Sequence, residues 1–143
     1  MKKFEFSLQK VLDFREFQKK QAETELGKAA GEEAKIQRTL DTVAECRIKT
    51  VLEADNMHNI FDLYNASCYF ALLDQRRDQL NEELVKAKII ADKKREIMRE
   101  AMKRCKVLET LREHRINAWK KEQIKAEEDA IDDIVTSRFV SPS

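Results

Sequence analysis

The stretch from Leu73 to Leu108, LDQRRDQLNEELVKAKIIADKKREIMREAMKRCKVL, decides the fold. Leu73, Leu80, Leu84, Ala87, Ala91, Met98, Ala101, Cys105 and Leu108 fall on steps of three, four or seven, with Arg76 and Lys94 interrupting them. Steps of three and four place side chains on one narrow stripe of a helix, and that stripe is the seam of a coiled coil. There is no glycine or proline in this stretch to end the helix.

The same rule holds outward from it. The 143-residue chain has one proline, Pro142, and two glycines, Gly27 and Gly31. Turns need Gly, Pro and Asn-rich punctuation, so a compact fold with many turns is excluded. Upstream, Ala22, Leu26, Ala29, Ile36, Leu40 and Val43 repeat the three-four steps, with Glu33 as the polar interruption. The pattern then drifts through Cys46, Ile48, Val51 and Leu52. Asp55-Asn56-Met57-His58-Asn59 is the best turn, with Asn59 placed to cap the next helix and Asp62 in its first turn. Asn65-Ala66-Ser67 is the second candidate for the turn.

The expected fold is therefore all-α: a long antiparallel two-helix coiled-coil hairpin, with residues 1–143 as a single domain. Helix 1 is expected over about 7–54, the turn over about 55–59 and helix 2 over about 60–137. At 1.5 Å per residue helix 1 is roughly 70 Å long and helix 2 roughly 110 Å, so the C-terminal helix overhangs. Ser7 is a candidate N-cap, with Phe6 packing on Val11 as a hydrophobic staple. Gly27 and Gly31 are either soft spots, costing about 1 kcal/mol each against Ala, or places where the partner helix comes close.

Charged residues make up 38% of the chain, mean hydropathy is −0.65 and net charge is +1, a balance that gives no reason to expect nucleic acid as partner. Locally the charge is uneven. Between Lys86 and Lys125 there are 14 basic and 6 acidic residues, and Glu127, Glu128, Asp129, Asp132 and Asp133 follow as an acidic block. A solvated helix face laced with i,i+4 pairs accounts for this pattern more simply than a docking patch. Cys46, Cys68 and Cys105 are odd in number and form no CxxC motif, which points to a reducing, cytosolic compartment in a chain with no signal-peptide pattern. No apolar run approaches the length of a membrane span.

Enzyme signatures are missing: there is no P-loop, HExxH or GxSxG motif. His58 and His114, the only histidines, lack a second ligand at metal spacing. No catalytic, cofactor or metal residues are assigned. Phe61, Tyr64, Tyr69 and Phe70 gather beside the turn, where they either plug the hairpin end or mark a protein-binding surface. Phe4, Phe6, Phe14 and Phe17 pose the same question at the other end, and Trp119 is a candidate anchor on the overhang.

Both termini resemble the flagellar export protein FliJ family. The opening stretch, Phe4-Glu5-Phe6-Ser7-Leu8-Gln9-Lys10-Val11-Leu12-Asp13-Phe14-Arg15-Glu16, has the family's aromatic pair, Leu, Val-Leu and Arg. Leu108-Glu109-Thr110-Leu111-Arg112-Glu113, Asp132-Asp133-Ile134 and Arg138-Phe139 resemble its C-terminal part, with Asp133 where the family often has Glu. The resemblance implies a non-enzymatic component of the flagellar type III export apparatus. Such a protein binds the hexameric export ATPase like a central stalk, promotes its assembly and activity, and links it to the membrane export gate and to export chaperones. It implies a cytoplasmic protein, peripheral at the inner membrane through the apparatus. It also implies an ATPase-binding tip of Phe4, Phe6, Leu8, Val11, Leu12, Arg15, Asp133, Arg138 and Phe139, gathered by paired termini. By analogy, Phe61, Tyr64, Tyr69 and Phe70 would face the gate or the chaperones. A generic coiled-coil spacer or dimerisation protein, or a type III secretion chaperone, is the alternative.

Overall fold

A computed structural model of the chain describes residues 3–140; Pro142 lies outside them. Two helices, α1 (Gln9–Ala54) and α2 (Ile60–Val140), pack against each other as an all-α hairpin. Their 46 and 81 residues correspond to about 70 Å and 120 Å. The chain divides into two compact units, one of residues 1–19 with 100–143 and one of residues 20–99.

In the second unit the connection is built as the local sequence dictates. The last turn of α1 tightens through Asn56 N–H to Glu53 C=O and Met57 N–H to Ala54 C=O. Asn59 then caps α2, its Oδ1 accepting from the Phe61 N–H at 3.0 Å while its carbonyl accepts from Leu63. Asn65-Ala66-Ser67 is helical, and Ala66 is buried.

The buried seam of α2 is Ala66, Leu73, Leu80, Leu84, Ala91 and Cys105, with Ala87, Met98, Ala101 and Leu108 half-buried. Of the interruptions, Arg76 is exposed, while Lys94 and Glu33 meet opposite charges. Lys94 sits half-buried and meets Glu25 at 3.8 Å, and Glu33 meets Arg95 at 3.9 Å. Burying a leucine contributes about 2 kcal/mol and a CH2 group about 0.8. Stability of this seam therefore concentrates at Leu73, Leu80 and Leu84, while Ala22 and Ala91 mainly permit close approach.

The drift after Val43 takes a different course from the one expected. The covered positions are Cys46, Thr50 and Ala54, whereas Ile48, Val51 and Leu52 face solvent. Helical phase explains this, since a step of four from Cys46 reaches Thr50, not an apolar residue. Gly27 and Gly31 are also settled. A methyl group at either would meet nothing within 4 Å and neither has positive φ. They are soft spots in a continuous helix, and the close-approach reading fails.

In the first unit Ser7 does not cap α1. Gln9 N–H bonds to Phe6 C=O and Leu12 N–H to Leu8 C=O, so the turn at Ser7-Leu8 precedes the helix. The staple is absent too: Phe6 is buried against Leu12 and Cys105, and Val11 is exposed. The Ser7 Oγ instead accepts from Arg115 of α2 at 2.9 Å.

Candidate partner-binding site

The first unit anchors the N-terminal segment on α2. Phe6, Leu12 and Cys105 form its core, with Phe4, Leu8, Leu108 and Leu111 packed around them. Phe4 meets Trp119 edge-on, with ring centroids 6.0 Å apart at 60°. Two arginines one turn apart close the outside. Arg112 lies over Phe4 at 5.9 Å and donates to the Gln9 side chain at 3.1 Å; Arg115 lies over Phe6 at 5.6 Å. A guanidinium on an aromatic face gains cation–π attraction while keeping its remaining N–H groups free for a partner.

The expected tip is only partly assembled. Phe4, Phe6, Leu8 and Leu12 come together, but Phe6 and Leu12 are core residues and not a contact surface. Arg15 is half-buried and donates to Gln18, while Val11 shares an exposed face with Phe14 and Phe17. Asp133, Arg138 and Phe139 are not gathered with the N-terminal residues. From Trp119, where Phe4 sits, α2 runs on for about 30 Å before reaching Phe139. Trp119 is correspondingly no free anchor, because Phe4 half-covers it. Arg112 and Arg115 were outside the expected tip. Their i,i+3 spacing within the basic stretch was the available signal, but only the pairing register shows that the Phe4 and Phe6 rings lie beneath them.

Beyond Gln123 every described side chain of α2 is exposed, through Ile124, Ile131, Ile134, Val135 and Phe139, the last at 86%. This bare length carries Asp133 and Arg138 as well. In the second unit, Phe61 (77% exposed), Tyr64 and Tyr69 face solvent, joined by Ile60 and Leu63. Phe70 is half-covered by Arg47, 5.2 Å from its centroid, which also binds Asp74 at 2.9 Å. The aromatics beside the turn are thus mainly a surface and not a plug.

The Arg47 guanidinium holds the Asp74 carboxyl below its ordinary value. Burial raises the Cys105 thiol, helped by its hydrogen bond to the Glu109 carboxylate at 3.4 Å. Glu16, Cys105 and Glu109 bring their donor atoms within 4.8 Å of one another. A neutral seam thiol donating to Glu109 accounts for that cluster without an ion. Among the described residues no helix is long and apolar enough to cross a membrane.

The family model for the flagellar FliJ protein matches residues 4–142, nearly the whole chain. The chain belongs to the FliJ family. It is accordingly a component of the flagellar protein export apparatus, from a family of structural export components and not one of known enzymes. No curated protein and no solved structure matches it.

Proposed function

We propose that this FliJ-family chain is a non-enzymatic stalk for the hexameric flagellar export ATPase, promoting ring assembly and ATP turnover. The observation that carries the reading is the bare end of α2. Among the described residues every α2 side chain beyond Gln123 is exposed, Ile134, Arg138 and Phe139 included, as on a helix destined for another protein. Asp133 and Arg138 offer charges of both signs to a pore lining, and Arg112 and Arg115 extend the basic surface beside Phe4 and Phe6.

The second unit supplies the other contact. Phe61, Tyr64, Tyr69 and Phe70 form the face for the export gate or the export chaperones, with aromatic side chains of the kind that dominate binding energy. The protein would then sit at the cytoplasmic face of the inner membrane through its partners.

Replacing Arg138→Glu together with Phe139→Ala tests the ATPase contact. Both side chains are exposed, so helix content should hold while affinity for the ATPase ring falls about tenfold or more. Undiminished binding in co-sedimentation would place the contact elsewhere.

A further inference from the structure

We propose that α2 ends in an order–disorder element. From Ile131 onward its helix is one of two states of the free chain, and coil is the other. The segment holds the helix fully only when another surface covers it.

Every described side chain from Ile124 to Phe139 is exposed. Among the described residues, the last ion pair along α2 joins Glu96 and Arg99, and the last side-chain hydrogen bond runs from Arg115 to Ser7. Packing of one face supplies most of the stability of a helix in a protein. Beyond Gln123 that support is gone, and intrinsic propensity decides.

The propensity changes abruptly. Lys125-Ala126-Glu127-Glu128-Asp129-Ala130 are strong helix formers, Asp129 apart. The next seven residues, Ile131-Asp132-Asp133-Ile134-Val135-Thr136-Ser137, include none. Ile, Val and Thr lose side-chain freedom against the preceding turn, while Asp, Ser and Thr offer the backbone competing hydrogen bonds. Each extends a helix roughly twofold less readily than Ala, whose own step is only slightly favourable. Seven such steps in a row bring the fully helical population down to roughly a tenth. Charge acts in the same direction. Glu128 with Asp132, and Asp129 with Asp133, are like-charged pairs one turn apart.

A partner that grips this segment must order it. Contact through it is then weaker than its apolar area alone would give, and readily reversed. The free-chain equilibrium depends on exposure and composition and not on the ATPase contact, so either can fail without the other.

Backbone carbon chemical shifts of the full chain, measured without any partner, test the proposal. Residues 131–137 should read as about a quarter helical or less, against full helicity over residues 80–91 of the seam. Asp132→Ala with Thr136→Ala and Ser137→Ala replaces exposed side chains and should raise the helical fraction over 131–137 at least about twofold. Trp119 emission and the shifts over 80–91, unchanged in the variant, confirm that the hairpin is intact. A segment as helical as the seam in the free chain, or an intact triple variant whose shifts over 131–137 do not move, would each overturn the proposal.

Discussion

Phe4 meets Trp119 edge-on at 6.0 Å, close to where the covered part of α2 gives way to its exposed length. Among the described residues beyond Trp119, only Gln123 is still half-covered. The pair also ties residues 3–8, which are not helical, to the side of α2.

Phe4→Ala should therefore release that segment. An aromatic pair is worth about 1 kcal/mol beyond its buried area. The loss should appear as a red shift of the emission of Trp119, the sole tryptophan, with little change in helix content, since Phe4 lies outside both helices. An unshifted spectrum would mean that the ring contact does not persist in solution. Phe6→Ala should cost more, about 3 kcal/mol, because Phe6 is 8% exposed against Leu12 and Cys105.

Gly27→Ala and Gly31→Ala should each stabilise the chain by about 1 kcal/mol. The added methyl meets nothing within 4 Å at either site. Urea unfolding of the two variants checks this, and a lowered midpoint would reveal a neighbour at that surface.

Leu80→Ala should destabilise by about 3 kcal/mol, because Leu80 is 2% exposed on the seam. Val85→Ala, on the solvent side, should stay within about 0.5 kcal/mol of the parent. Equal losses at the two positions would show the seam to be rotated.

Thiol labelling of the native protein should proceed in the order Cys68, Cys46, Cys105, following exposed, half-buried and buried positions. The thiolate is the reactive form, and burial raises the Cys105 thiol above its ordinary value, which slows it further. Early labelling of Cys105 would mean that the first unit opens readily.

Much of this was legible in the sequence, because a coiled-coil seam is a matter of spacing. Leu73, Leu80, Leu84, Ala91 and Cys105 lie where the three-four steps put them, and Asn59 caps where an Asn before an apolar run should. What spacing could not supply was register between the helices. Without it Ser7 looked like a cap and turned out to be an acceptor for Arg115. Trp119 looked unaccompanied and proved to be Phe4's partner, and the termini looked paired although α2 outruns Phe4 by about 30 Å. The position of the turn, between Ala54 and Ile60, does not by itself say which side chains meet across the two helices, and each of these readings needed that.

The stalk reading is tested most directly by ATP hydrolysis and ring formation of the cognate flagellar export ATPase, measured with and without this chain. It predicts faster turnover and more hexamer in the presence of the chain. Unchanged turnover and an unchanged distribution of ATPase oligomers would contradict it.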